Sequence, residues 1–345
     1  MSSTAGSDPT SAFPRLVPDR GKLAAEASLP APLNVGIEFD AGWVNRVRVN
    51  LSAVERRVAT LPKRRTVKKA WQAAWLLKAV SLMDLTTLSA DDTEGRVARL
   101  CAKARAPVRE DLLEALGWGE RRLTTAAVCV YHEMVPAARR ALADTPIAIA
   151  AVSTGFPAGL TPFDLRLEEI RRSVQAGATE IDIVISRRHV LTSNWRALYE
   201  EVRAFREACG TAHMKTILGT GQLGSIGKVA KAALVAMMAG SDFVKTSTGM
   251  EPVNATLPVS LVMMRMIREF AERTGQRPGF KPAGGISSAK TALTYLMLAK
   301  EELGDSWLTP EGFRFGASRL LGDIERQLEH QVTGRYSAAH RHPMG

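Results

Sequence analysis

Cysteine is scarce in this chain: Cys101, Cys129 and Cys209 are its only three. An odd number without paired spacing argues against a disulfide framework, and the thiols read as reduced, in a cytoplasmic protein. No run of about 18 uncharged apolar residues occurs, so no membrane span is expected. The first residues lack the charged-then-apolar layout of a secretory leader. No set of His, Asp and Glu has metal-ligand spacing, so no metal is expected either. Negative charge is short: 35 Asp and Glu face 46 Lys and Arg, a formal balance of +11. Such a surplus suits anionic substrates or a nucleic-acid partner. The densest cluster, Lys63-Arg64-Arg65-Thr66-Val67-Lys68-Lys69, runs into the helical-looking Ala70-Trp71-Gln72-Ala73-Ala74-Trp75-Leu76-Leu77. It reads as the solvated first turn of a packed helix in preference to a nucleic-acid patch.

Against these absences stand two lysines in unusual company. Lys245 ends Phe243-Val244-Lys245, ahead of Thr246-Ser247-Thr248-Gly249. Lys281 ends Gly279-Phe280-Lys281, ahead of Pro282-Ala283-Gly284-Gly285. Each closes a short apolar run that reads as a buried strand, and a buried lysine is rare unless it is paired or reactive. Two of them one strand–helix unit apart suggest an amine made nucleophilic by a neighbouring ammonium, the chemistry of a Schiff-base enzyme.

The length suits one large α/β domain with appendages, or two small domains. Residues 1–33, rich in Ser, Pro and Ala without periodicity, read as a disordered tail. Residues 34–78 form a helical extension, with helical patterns over 44–60 and 66–77. Strand-like runs then recur at 79–85, 124–130, 147–153, 180–185, 213–218, 242–245, 279–281 and 313–315. Amphipathic helical patterns separate them, for example Leu167, Ile170 and Val174 before Gly177, and Trp195, Leu198, Val202 and Phe205 before Gly210. Eight strands alternating with helices predict an α/β fold, a (β/α)8 TIM barrel over 79–335 with an N-terminal helical extension. An open doubly wound sheet is the alternative, and the lack of a G-x-G-x-x-G motif after the first strand counts against it.

Active sites of such barrels lie at the C-terminal ends of the strands. The predicted register puts Asp84, Cys129, Asp182, Lys215, Lys245 and Lys281 there. Gly284-Gly285 after strand seven and Gly316-Ala317-Ser318 after strand eight lead into helices, and the backbone N–H groups at those starts would cradle a phosphate. Tight loops with helix-capping serines account for the same residues equally well.

These segments closely resemble the deoxyribose-phosphate aldolase family from about residue 64 to residue 336. The resemblance rests on Asp84-Leu85-Thr86-Thr87, Ala126-Ala127-Val128-Cys129-Val130-Tyr131, Glu180-Ile181-Asp182-Ile183-Val184, Lys245-Thr246-Ser247-Thr248-Gly249 and Gly279-Phe280-Lys281-Pro282-Ala283-Gly284-Gly285. The N-terminal helices and Val332-Thr333-Gly334-Arg335-Tyr336 are similar to the longer, animal-type branch. The resemblance implies a class I aldolase, without metal or organic cofactor, that reversibly cleaves 2-deoxy-D-ribose 5-phosphate to D-glyceraldehyde 3-phosphate and acetaldehyde. It implies Lys245 as the Schiff-base lysine, Lys281 as the lysine that lowers its pKa, and Asp182 in the proton relay. Substrate contacts would come from Asp84, Thr86, Lys215, Thr248, Gly249, Gly284, Gly285, Gly316, Ser318 and Arg319. It also implies a flexible tail, 336–345, whose Tyr336 reaches the site; a tyrosine packed on the last helix is the alternative. Cys129, His132 and His213 read as structural. The partners are then small phosphosugars and aldehydes, nucleic acid is not expected, and homo-oligomerisation stays open.

Three departures from the family fall on the phosphate side. Met250 stands where a lysine is usual, Ser287 where an arginine is usual, and Arg319 where a small hydroxyl residue is usual. Either Arg319 replaces the lost charge, or the chain is a Schiff-base aldolase with a weakened phosphate site acting on non-phosphorylated or other aldehydes. A binding protein that kept the barrel and uses residues 63–69 is a third reading, and the intact Lys245, Lys281 and Asp182 argue against it.

Overall fold

Eight short segments pair as parallel strands: β1 (Met83–Thr86), β2 (Ala127–Tyr131), β3 (Ala148–Ser153), β4 (Glu180–Val184), β5 (His213–Ile217), β6 (Phe243–Lys245), β7 (Gly279–Lys281) and β8 (Phe315–Ala317). The computed structural model describes residues 32–342 except 65, 66 and 120, so all but the last two residues of the expected tail 1–33 lie outside the described residues. The strand order is β7-β6-β5-β4-β3-β2-β1-β8. Parallel bridges Phe280↔Phe313 and Ala283↔Gly316 bring β7 beside β8. The sheet is thus a nearly closed barrel with alternating helices, as expected.

Boundaries moved where a short apolar run does not tell strand from helix. Residues 79–81 finish the helix Lys69–Ser81, and β1 starts only at Met83. At the last strand the expected 313–315 becomes Phe315–Ala317, because pairing with β1 (Met83↔Phe315, Leu85↔Ala317) defines it, not the aromatic run. Gly316 and Ala317 therefore lie within β8 instead of following it. The pattern over 44–60 divides into Ala41–Arg46 and Leu51–Ala59. The second of these starts where the Asn50 side chain accepts a hydrogen bond from Ala53 N at 3.0 Å, which satisfies one free N–H of the first turn.

The helices follow their apolar spacing. In Trp195–Cys209 the buried Leu198, Val202, Phe205 and Cys209 form one face against the barrel. Fully burying one such aliphatic or aromatic side chain stabilises by about 1.5–3 kcal/mol. The helix Phe163–Ala176 ends at Gly177, whose φ of 112° suits glycine, and a Cβ there would stand 2.6 Å from Arg139 Cδ. Ile226–Met238 has buried residues all round. One side is covered by the N-terminal segment: Ile37 N donates to Met238 O at 2.8 Å and Asn34 Nδ2 to Met237 O at 2.9 Å. Trp43 stacks on Phe270 and donates to Glu269, fastening the extension to the helix Leu257–Thr274. Among the described residues no helix is long and apolar enough to cross a membrane.

Alternation along the strands sorts side chains between two environments. Val128, Val130, Ile181, Ile183, Met214 and Val244 join the large core between strands and helices. Cys129, Ala150 and Val152 form a separate small cluster inside the barrel. Beside them inside the barrel lies a cluster of charged side chains.

Candidate active site

Among the described residues, seven acidic and basic side chains meet inside the barrel. Asp182 of β4 is the hub: its Oδ2 accepts from Lys245 Nζ and from Lys281 Nζ, both at 2.8 Å, and its Oδ1 from Lys215 Nζ at 3.1 Å. Lys281 also donates to Asp84 Oδ2. Lys215 pairs with Glu180 as well and lies 3.2 Å from Asp84 Oδ2. Beneath them Arg314, in the segment before β8, forks between Asp84 Oδ1 (2.6 Å) and Glu180 Oε1 (2.8 Å). All seven are buried; Lys245, the least covered of the three lysines, keeps 3% of its surface.

The strand register explains how they meet. Asp182 pairs across with Lys215, Lys215 with Phe243, and two residues further along Lys245 pairs with Lys281. Only Lys245 and Lys281 end their strands. Asp84, Cys129, Asp182 and Lys215 sit mid-strand, a correction to the expected rim. The stagger of a closed barrel lifts mid-strand residues of one wall to the level of strand ends on another.

Burial works against each charge, and neighbours decide which survive. It is outweighed at Asp182 by Lys215, Lys245 and Lys281, which hold the carboxyl well below its usual range. Lys215, Lys281 and Arg314 do the same for Asp84, and Arg314 and Lys215 for Glu180. Lys215 and Lys281 are likewise pushed up despite burial, by Asp182 and Asp84 in both cases and by Glu180 for Lys215. Lys245 goes the other way. Burial lowers it, the Lys281 ammonium adds to the effect, and Asp182 is the opposing carboxylate. The Cys129 thiol is pushed up by burial and by Asp182 and stays a thiol, in keeping with a packing role.

The loops after β6 and β7 approach each other, and the loop after β7 approaches β8. Gly249, Gly284 and Gly285 adopt φ of 89°, 80° and 80°. A Cβ on Gly249 would stand 3.9 Å from Gly284 Cα, and one on Gly316 2.8 Å from Ala283 Cβ. Ser288 caps the helix Ala289–Leu303 through Thr291 N, and Ala289 N donates to Asp323. Ser287, Ser318 and Arg319 are exposed, and Met250 is 52% exposed. Arg319 occupies the cap position, one residue before the helix Leu320–Thr333 and not in its first turn, and makes no ion pair among the described residues.

Of the remaining expected contacts, Asp84 and Lys215 are already partnered within the buried cluster. Thr86 Oγ1 donates to Asp84 O. Thr248 Oγ1 donates to Glu251 and accepts from Met250 N. Tyr336 stacks on His330 of the last helix at 4.2 Å between centroids and is 60% exposed, the packed arrangement. The tail beyond it makes a short 3-10 turn, Ala339–Arg341, and His342 docks on Glu329 at 2.8 Å; residues 343–345 lie outside the described residues. His132 contacts Ser173 Oγ at 3.0 Å, away from the cluster's partners.

Sequence reasoning missed three members. Glu180 shares a strand face with Asp182 by its spacing of two, a signal that was there to use. Arg314 looked like the middle of a strand. Glu251 holds the loop after β6 by accepting from Thr248 N (3.0 Å), Thr248 Oγ1 (2.7 Å) and Arg187 Nη2 (3.2 Å). Among the described residues no three His, Cys, Asp or Glu side chains converge as a metal site.

A sequence profile of the DeoC/LacD family aldolases matches residues 78–322. The human protein named deoxyribose-phosphate aldolase is 60% identical over 313 residues, 90% of this chain and 98% of that one. The mouse protein of the same name is 61% identical over 311 residues, 90% of this chain and 98% of its own. Among solved structures, deoxyribose phosphate aldolase from Aeropyrum pernix, described as tetrameric, superposes with a TM-score of 0.54. It is 21% identical and covers 81% of this chain and 99% of that one, so this likeness speaks to the fold.

Proposed function

The chain belongs to the DeoC/LacD family of aldolases, and from that premise we propose that it reversibly cleaves 2-deoxy-D-ribose 5-phosphate to D-glyceraldehyde 3-phosphate and acetaldehyde through a Schiff base on Lys245. The observation that carries this reading is the contrast between Lys245 and its neighbours: three lysines touch one aspartate, and only Lys245 is driven towards the free amine. At an ordinary pKa of about 10.4 fewer than about one lysine in a thousand is uncharged at neutral pH, too few for an efficient nucleophile.

The chemistry then runs as follows. The Lys245 lone pair adds to C1 of the open-chain sugar, and loss of water gives an iminium. A proton leaves the C3 hydroxyl, the C2–C3 bond breaks, and its electron pair moves into the iminium to form an enamine, releasing glyceraldehyde 3-phosphate. C2 takes a proton, and water frees acetaldehyde and the amine. Asp182, which accepts hydrogen bonds from both Lys245 and Lys281, is placed with Lys281 to order the proton transfers, which typically contribute about 10²–10⁴-fold. Asp182 is held too acidic to retain a proton, so its part is to orient the amine and a water while Lys281 supplies the ammonium. The free, buried cysteines support a reducing, cytoplasmic setting. Borohydride added with acetaldehyde is expected to leave a stable two-carbon adduct on Lys245 alone; an adduct on Lys281 or Lys215 would overturn the assignment.

The phosphate belongs with the loops after β6, β7 and β8. Gly249, Gly284 and Gly285 let backbone approach an anion closely, and Arg319, exposed at the start of the helix after β8, makes no ion pair among the described residues and carries a guanidinium suited to phosphate oxygens. Arg319→Ser is expected to raise KM for the phosphorylated sugar about ten- to a hundredfold while leaving cleavage of 2-deoxyribose nearly unchanged. Equal effects on both sugars, or none, would mean that Arg319 serves solvent and that the non-phosphorylated reading gains ground.

A further inference from the structure

The cluster inside the barrel does not balance. Lys215, Lys245, Lys281 and Arg314 are four cations facing three carboxylates, Asp84, Glu180 and Asp182. The remaining titratable group against Lys245 is the Cys129 thiol, which is uncharged. A buried surplus charge is costly, and the least compensated group relieves it by giving up its proton. Partner counts identify that group. Lys215 reaches Asp84, Glu180 and Asp182; Lys281 reaches Asp84 and Asp182; Arg314 reaches Asp84 and Glu180. Among the described residues Lys245 reaches Asp182 only, through an oxygen it shares with Lys281.

We infer that Arg314 is a positioning residue for the aldol reaction: as the cation that cannot lose its proton, it uses up carboxylate charge at the floor of the barrel and so leaves Lys245 as the uncharged amine. The inference rests on the Schiff-base reading. Arg314 is far from the reacting atoms in connectivity. It is fixed by Asp84 and Glu180, by Pro310 O, and by the face of Phe243, whose ring centroid lies 5.6 Å from the guanidinium carbon. Gly279 makes room for that ring, since a Cβ there would overlap Phe243 at 2.2 Å. Lowering of Lys245 is thus a property of the whole cluster and not of Lys281 alone, since Lys281 is itself engaged by two carboxylates.

Charge counting makes a signed test. Arg314→Met removes a cation, so Lys245 keeps its proton to higher pH. The acid limb of the rate of borohydride-trappable adduct formation with acetaldehyde should then move up by about one unit, a tenfold loss on that limb. Glu180→Gln removes a carboxylate and should move the limb down. The double variant restores the count and should return it to within a few tenths of wild type. Because the limb's position is read and not the amplitude, loss of stability in one variant does not mimic the result. If Arg314→Met fails to fold, Glu180→Gln and the double variant carry the same signs. Adduct on Lys245 with unmoved limbs, or with both single variants shifting the same way, would overturn the inference and spare the Schiff-base reading. Absence of any adduct on Lys245 in the wild type would overturn both.

Discussion

Lys245→Met is expected to lower kcat/KM for 2-deoxyribose 5-phosphate by about 10⁵–10⁶-fold, as losses of a covalent nucleophile do, and to abolish borohydride trapping. The protein should nevertheless fold. Methionine keeps the length and apolar body of the lysine stem, and its introduction leaves three carboxylates against three cations, a balanced buried cluster. A melting temperature near that of the wild type, together with acetaldehyde release at background, is the expected pair of results. Activity within tenfold of wild type would place the nucleophile elsewhere, on Lys215 or Lys281.

Lys281→Leu should act on the same amine by a different route. Without that ammonium, Asp182 serves Lys245 and Lys215 alone, and three cations with Lys245 charged now match three carboxylates. The folded-state pKa of Lys245 rises, so the amine appears only as pH climbs towards the ordinary lysine range. Adduct formation at pH 7 should fall by about 10²–10⁴-fold and recover steeply on the alkaline side. Asp182→Asn makes the informative contrast. It removes a carboxylate, which favours the free amine still further, so an adduct should form while turnover drops by about 10²–10⁴-fold because the amine and the water that carries protons lose the group that orients them. Rapid trapping compared with steady-state turnover across pH separates the two. A Lys281→Leu protein at full rate at pH 7, with no alkaline recovery, would remove Lys281 from the mechanism.

Much of this site was legible one residue at a time. A buried parallel strand must be apolar on both faces, so a lysine inside Phe243-Val244-Lys245 or Gly279-Phe280-Lys281 announces itself against its neighbours. Helices signalled themselves through 3,4 spacing and through glycines such as Gly177 at their ends. Legibility failed where local pattern does not decide. Ala79 and Val80 are as apolar as a strand but belong to a helix buried on all sides at that end. The small residues Gly316 and Ala317 look like loop but are strand because β1 pairs with them. Tyr336 could be read as mobile or packed, and its stacking on His330 depends on how the last helix meets the tail.

What the sequence by itself determined is the inventory: which strands carry charge, which loops are free of side chains, and which lysines cannot be ordinary surface residues. Hydrophobic period and residue chemistry act over a few neighbours, and that range suffices for these statements. What only the tertiary structure decided is the sum. Arg314 and Glu180 lie 134 positions apart, and Lys281 and Asp84 197 apart, yet they share hydrogen bonds. Whether a buried lysine keeps its proton depends on every charge within a few ångströms, and the stagger of the closed barrel sets those distances. That is why two lysines with the same place in their strands, paired to each other across β6 and β7 and to the same oxygen of Asp182, come out on opposite sides of the ordinary lysine pKa.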